Sequence, residues 1–307
     1  MIVVTGTDGQ LGTGFKKILA HDVVFLTRTE LDLADIERIG PTLAALQPST
    51  VINCAAYTAV DGAETEEDTA KTINGHAVNE LATVCRETGA RFVTFSTDYV
   101  FDGTKAGGYV ESDTPNPISA YGRSKLLGER LAFGANPDAL IIRTSWLLSG
   151  THPNFALTML RLLAKGDVSV VNDQFGRPTL VDDLAPATLK AMDDGLTGVL
   201  HLANVGVTTW FDLARQVADI AGLDSGRVHP CSTSQYPTPA ARPLNSVLDS
   251  ERLSNPMPPY EASLESAVRS LLHNDRTEEP KRSVPLSRGT AEERSSDAGG
   301  SGGHGDL

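Results

Sequence analysis

The chain has 307 residues, 40% hydrophobic and 21% charged, with a formal net charge of −13. That length accommodates one large core or two lobes, and the composition is ordinary for a globular protein. The negative balance repels polyanions at long range, which argues against nucleic acid as a partner; a small phosphorylated ligand held by backbone N–H groups and one or two Arg is still compatible.

No apolar run reaches the length of a bilayer span, and Met1 leads straight into strand-like residues with no basic leader. No membrane partner is therefore expected, and the location is read as cytoplasmic. Cys54, Cys85 and Cys231 are scattered, without CxxC or Cys/His spacing. They fit a reducing compartment rather than a disulfide framework or zinc site, with Cys85 expected as a small buried hydrophobe.

In chain order, β-branched runs alternate with amphipathic stretches. Strands are expected at Ile2–Thr5, Val23–Leu26, Val51–Asn53, Phe92–Ser96, Leu140–Arg143, Val168–Val171 and Val199–Leu202. Helices are expected at Leu11–Ala20, Asp35–Leu46, Ile73–Thr88, Ala120–Phe133, Phe155–Leu163, Leu180–Met192, Trp210–Ala221 and about Glu261–Leu272. The alternation reads as an α/β fold with a mostly parallel sheet. Residues 227–259 are rich in Pro and Ser, and so long an irregular stretch covers a ligand or is partly mobile. From about Asn274 apolar residues nearly vanish, and 274–307 is expected to be a disordered tail.

Gly6-Thr7-Asp8-Gly9-Gln10-Leu11-Gly12 follows the first strand and opens the first helix. One Gly permits the tight turn, another lets backbone approach a pyrophosphate, and a third lets helix and strand pack closely. Such turns also occur without ligands; the strand–turn–helix position favours a dinucleotide. Arg28, at the end of the second strand, stands where an NAD-selective site carries an acidic residue. It points to NADPH, with NADH possible, although a solvated surface Arg looks the same. Asp32 and Leu33 are placed to reach the adenine edge, or Asp32 is an ordinary helix cap. The fold is thus read as a Rossmann-like, doubly wound sheet. Residues 1–145 form its dinucleotide-binding core, segments up to about 205 contribute, and 146–273 is mainly a smaller substrate-binding lobe.

Tyr121 and Lys125 lie four residues apart on an expected helix and so share a face. The ammonium is expected to lower the pKa of Tyr121 so that it exchanges a proton near neutral pH, and also to hold nicotinamide ribose. Thr97 ends the fourth strand, where open sheets bind ligands, and its hydroxyl is suited to a substrate carbonyl oxygen. An isolated YxxxK also arises from a packed Tyr and a solvated Lys; the combination with the glycine turn and strand-end hydroxyl favours chemistry.

Gly6–Gly12, Asn53–Asp61, Ser96–Phe101, Tyr121–Lys125, Arg143–Trp146, Val171–Thr179 and Pro237–Pro243 together resemble the dTDP-4-dehydrorhamnose reductase family of extended short-chain dehydrogenases, in order from about Met1 to Leu272. The resemblance implies NAD(P)H-dependent reduction of the C4 ketone of a dTDP-4-keto-6-deoxy-L-sugar, with Thr97, Tyr121 and Lys125 as the catalytic triad. Ala55, Ala56, Tyr57 and Phe95 would neighbour the cofactor. Asp98 and Trp146 would contact the sugar; Asn154, Gln174, Arg177 and Arg242 would lie in segments holding the nucleotide diphosphate.

A Glu that joins a metal-bridged dimer in some members is Gly14 here, so no metal and a monomer or weak homodimer are expected. Related ketoreductases of antibiotic biosynthesis, such as those forming dTDP-dihydrostreptose, would carry the same motifs. An epimerase or dehydratase is a further alternative, although Tyr99 follows Thr97-Asp98 where dehydratases carry Glu. The last is a non-catalytic regulatory subunit, against which retention of Thr97, Tyr121, Lys125 and Trp146 argues.

Overall fold

In the computed structural model, which describes residues 1–278 (side chains through Asp275), six parallel strands form the central sheet. They are β1 (Ile2–Thr5), β2 (Val23–Leu26), β3 (Thr50–Asn53), β4 (Arg91–Thr97), β5 (Leu140–Thr144) and β6 (Gly198–His201). Their spatial order is β6-β5-β4-β3-β1-β2. The chain winds outward from β1 to β2 and then crosses to β3 on the other side of β1. That reversal opens a crevice at the carboxyl ends of β1 and β3, where open α/β sheets take ligands.

Period-two alternation explains how the sheet is covered on both faces. Val3, Val51, Phe92 and Ile141 point into the core beneath helices Ile39–Leu46, Ala77–Thr88 and Ala120–Ala135. Their neighbours Val4, Ile52, Val93 and Ile142 point oppositely, onto helices Gln10–Ile18 and Val181–Asp193. Full burial of each such side chain contributes about 1.5–3 kcal/mol. Cys85 packs within the first of these cores, 1% exposed.

A separate core gathers Leu160, Leu163, Leu213, Val217, Leu264 and Val268 from helices Phe155–Leu163, Trp210–Ala221 and Glu261–Glu278, with Leu148 of the short strand Leu147–Leu148. Val168–Val171 is a strand as expected, but it pairs in parallel with Val228–Cys231 in its own two-stranded sheet. The irregular text of 227–259 is therefore partly regular, and its later part is stitched to the sheet side: Tyr109 N–H donates to Val247 O at 2.7 Å and Asp249 N–H to Tyr109 O at 2.7 Å. The last helix runs to Glu278, past the expected start of the tail. Asn274 is tied in by its Nδ2 donating to Gly150 O at 3.1 Å. Residues 279–307 of the expected tail lie outside the described residues. No described helix is long and apolar enough to cross a membrane.

Candidate active site

A cleft of about 1410 Å³ opens along the carboxyl edge of the sheet. At one end lies the glycine turn. Gly6 has φ +66°, and a Cβ there would fall 2.5 Å from the Ala55 backbone, so the loops after β1 and β3 touch along their main chains. Gly9 precedes helix Gln10–Ile18 with no side-chain cap and no acidic residue in the first turn, leaving the helix N-terminus open to an anion. Gly12 is not part of the cleft lining; a Cβ there would fall 2.5 Å from Gly6 O and from Thr7 Cα.

Gly6, Gly9, Gln10, Leu11, Arg28, Asp32, Leu33, Ala55, Ala56, Tyr57 and Phe95 all line the cleft. Arg28 is 77% exposed and its Nε donates to Asp32 Oδ2 at 3.1 Å. The loop bearing Ala55 and Tyr57 is held by two buried amides to which the sequence assigned no role. Asn53 Oδ1 accepts from Ala55 N–H at 3.2 Å. Asn74 grips Tyr57 twice, accepting its N–H at 2.9 Å and donating to its carbonyl at 3.0 Å. Asn74 Nδ2 also donates to Ser124 Oγ at 3.0 Å, which ties this loop to the helix that carries Tyr121.

At the other end, Ser119 caps helix Ala120–Ala135 by accepting Gly122 N–H at 3.1 Å. Gly122 permits contact: a Cβ there would lie 2.2 Å from Tyr99 O. Tyr121 and Lys125 project from this helix into the cleft with Thr97 and Asp98. Thr97 Oγ1 donates to Asp98 Oδ1 at 2.9 Å and accepts Tyr99 N–H at 3.2 Å.

The expected sign at Tyr121 is reversed. Burial, then the Asp98 carboxylate, push its phenol up to about 12, against a lowering hydrogen bond with Thr97. Lys125 Nζ donates to Phe95 O at 2.7 Å. Burial pulls the Lys125 ammonium down to about 8, with Glu129 opposing. Burial likewise raises Asp98 to about 6, although the hydrogen bond from Thr97 and the nearby Ser246 hydroxyl favour its anion. A phenol held that high stays protonated at neutral pH, which suits a proton donor.

Trp146 and Arg242 complete the far wall. Trp146 sits at φ +45°, a left-handed backbone that costs a bulky residue about 1–3 kcal/mol. Its indole stacks on Trp210, with centroids 3.6 Å apart and planes 7° off parallel, and Phe155 tilts against Trp210 at 4.5 Å. Trp210 and Phe155 read in the sequence only as parts of amphipathic helices. Arg242 pairs with Asp61 at 3.0 Å and lies 5.8 Å over the Tyr99 ring. Among the described residues, several side-chain atoms are buried without a protein partner, Arg242 Nη1, Asp98 Oδ2 and Arg177 Nε included.

Three expected nucleotide contacts lie outside the cleft lining. Asn154 caps helix Phe155–Leu163, accepting Leu157 N–H at 3.3 Å, and its Nδ2 donates to Ser149 O at 2.8 Å. Gln174 Nε2 donates to Thr233 Oγ1 at 3.0 Å. Arg177 is ion-paired with Asp249. Gly14, at the position read for a dimer metal, abuts Val181, whose Cγ1 would meet a Cβ at 2.3 Å.

A sheet of this order, with its cleft at the carboxyl edge, is of the Rossmann-like class, and Tyr121–Lys125 beside that cleft places it with the short-chain dehydrogenases. Within that class the chain belongs to the RmlD substrate binding domain family, whose model matches residues 1–276. It is 40% identical to a dTDP-4-dehydrorhamnose reductase of Burkholderia thailandensis over 294 residues, covering 88% of this chain and 99% of the relative. It is 40% identical over 251 residues to a dTDP-4-keto-6-deoxy-D-glucose reductase of Streptomyces niveus, covering 80% and 87%. The crystal structure of dTDP-4-dehydrorhamnose reductase from Bacillus anthracis in complex with NADP is similar at TM-score 0.82 and 34% identity, covering 89% of this chain and 98% of that one.

Proposed function

We propose that this chain reduces the C4 ketone of a dTDP-4-keto-6-deoxy-L-sugar with NADPH, first among them dTDP-4-dehydro-L-rhamnose to dTDP-L-rhamnose. The observation that carries the reading is the convergence of Thr97, Tyr121 and Lys125 with the glycine turn in one cleft. The names of the Burkholderia relative and of the Bacillus structure with NADP support it.

The residues fit a dinucleotide phosphate. The Gly6 cradle admits no Cβ, the Gly9 helix start is uncapped, and the exposed Arg28 stands beside Asp32 on the same wall. Bound there, NADPH supplies the hydride. Gly6 to Leu11 hold pyrophosphate, Arg28 takes the 2′-phosphate, and Lys125 holds ribose hydroxyls. Tyr121 gives its phenolic proton to the oxygen that becomes the hydroxyl. Thr97 turns its hydroxyl from Asp98 to that same oxygen, stabilising negative charge as it forms. Arg242, with a buried Nη1 lacking a protein partner, is suited to the sugar nucleotide's diphosphate.

Purified protein mixed with NADPH and dTDP-4-dehydro-L-rhamnose is expected to consume reduced-nicotinamide absorbance. The Streptomyces relative favours a second reading, a ketoreductase for another dTDP-4-keto-6-deoxy sugar of antibiotic biosynthesis. A panel of such sugars separates the two, and absence of turnover across the whole panel overturns both.

Two further results are expected. Arg28→Ala raises KM for NADPH about 10-fold and leaves KM for NADH little changed, a charge-assisted hydrogen bond of about 1.5–3 kcal/mol being weakened here by solvent exposure. An equal rise for both cofactors would remove Arg28 from the 2′-phosphate. The kcat/KM profile for NADPH, which reports the free protein, is expected to lose activity above pH about 8. The sign follows from a lysine with a depressed pKa: its ammonium is present below that value and gone above it. A profile flat to pH 10 would mean the charge on Lys125 does not matter.

A further inference from the structure

Behind the cleft lies a buried charged network with no part in the chemistry above. Glu129 is one helical turn beyond Lys125 on the same face and is 6% exposed. It accepts a hydrogen bond from Ser96 Oγ and is gripped bidentately by Arg143 of β5, with Nε at 2.9 Å and Nη2 at 2.7 Å. Arg143 Nη1 in turn lies 3.3 Å from His201 Nε2 at the end of β6, and its guanidinium lies 5.2 Å over the Phe101 ring. His201 Nδ1 faces two carbonyls, Tyr109 O at 3.2 Å and Asp249 O at 2.8 Å. It therefore carries the ring proton, leaving Nε2 to accept from Arg143.

The placement is systematic. Two successive turns of one helix are fastened to adjacent residues of β4: Lys125 to the carbonyl of Phe95, Glu129 to the hydroxyl of Ser96. Thr97 is the next residue along. Packing alone does not call for such an arrangement, because an apolar pair of similar volume is commonly as stable as a buried ion pair or more so.

We propose that Glu129, clamped by Arg143, is a positioning residue for Lys125: it fixes the register of the Tyr121–Lys125 helix against β4 and supplies the counter-charge of the buried ammonium. The proposal rests on Lys125 serving the reductase site. Other titratable groups stand around this helix, among them Arg130 on the helix itself and Tyr99 edge-on to Tyr121. Tyr121 shares the helix and Asp98 follows β4; Cys54, after β3, lines the same cleft. Arg143 and His201 stand behind Glu129. At the first turn of the helix, Glu67 pairs with Arg123 at 3.0 Å and Glu64 accepts Ala120 N–H at 2.8 Å.

The test is Glu129→Gln, which keeps the size and one acceptor oxygen but removes the charge and leaves Arg143 without its carboxylate partner. In protein with carbon-13-labelled lysines, the NMR titration of Lys125 is expected to move down by about one pH unit or more. The basic limb of kcat/KM is expected to follow, with kcat down about 10-fold. Adding Arg143→Met is expected to leave the titration below that of the unmodified protein, because the counter-charge is still missing; full recovery would mean that Glu129 acts only by neutralising Arg143.

A pair that only stabilises the fold would lower Tm and leave the Lys125 titration in place; that outcome overturns the proposal. The NMR measurement needs no sugar substrate, so lack of turnover in the unmodified protein would be read separately, as failure of the reductase assignment. If Glu129→Gln does not fold, Glu129→Asp decides, since it keeps the charge and shortens the reach. A kcat lowered about 3-fold or more with KM unchanged is expected from lost positioning, and an unmodified kcat overturns it.

Discussion

Protein carrying Tyr121→Phe is expected to lose about 10²–10⁴-fold in kcat while binding NADPH with unchanged affinity, the range typical of losing a positioned proton donor. The substitution removes one oxygen and nothing else. The ring keeps its edge-on contact with Tyr99, 6.0 Å between centroids, and its packing against the cluster of Ala63, Ala70 and Ala120. Tm should stay within about 2 °C, since no buried partner is orphaned apart from the hydrogen bond to Thr97. The measurement is steady-state turnover beside a fluorescence titration of NADPH. If turnover fell less than tenfold, the proton would have to come from elsewhere, and Asp98 would be the next group to examine. Because burial keeps the phenol protonated far above neutrality, the unmodified protein should show no activity loss from Tyr121 ionisation below pH 8. The loss at higher pH then belongs to Lys125.

The central sheet was legible because its strands are short β-branched runs buried on both faces, so every residue supports one assignment. Val3 and Val4 show it: adjacent in sequence, they feed opposite cores. Regions set by tertiary contact were not legible. Val228–Cys231 contains Pro230, which demotes a strand in any local reading, yet it pairs along an edge with Val168–Val171. Phe175–Gly176 and Thr208–Thr209 are two-residue strands whose pairing is decided by neighbours about thirty residues away in sequence. The last helix continues through polar residues beyond Leu272 partly because Asp275 ion-pairs with Arg161 at 2.6 Å, a partner no helical periodicity reveals.

The site divides along the same line. Thr97, Tyr121, Lys125 and the glycine turn could be found because strand ends and helix spacing fix where their side chains go. The environment of Tyr121 could not. Spacing brings an ammonium near, but only the fold shows it engaged by Phe95 O while the Asp98 charge disfavours the phenolate. Asn154, Gln174 and Arg177 belong to recognisable strings, yet each has a polar contact with the protein: a helix cap, Thr233 and Asp249 respectively. The partners of Gln174 and Arg177 lie 59 and 72 residues away. Asn74 and Trp210 give no local signal at all. One sits in a helical run and the other opens one, and their contacts with Tyr57 and Trp146 exist only after folding.

Gly6→Ala is expected to abolish tight NADPH binding, raising Kd by about 100-fold or more, and to lower Tm by about 5–10 °C. Two separate costs act. A left-handed backbone disfavours any residue with a Cβ by about 1–2 kcal/mol. The Cβ itself would lie 2.5 Å from Ala55 N and Cα and 2.8 Å from the Cys54 carbonyl carbon, all of them main-chain atoms without a rotamer to change. The loop after β3 must therefore move, and with it Ala55 and Ala56, which line the crevice proposed for the dinucleotide. Gly9→Ala is the matched control. Its Cβ would meet only Gly6 O, at 3.3 Å, so the fold should stay within about 2 °C of the unmodified Tm. Calorimetry and a fluorescence titration on both variants separate the outcomes. Undiminished NADPH affinity in Gly6→Ala would place the dinucleotide somewhere other than the β1–β3 crevice.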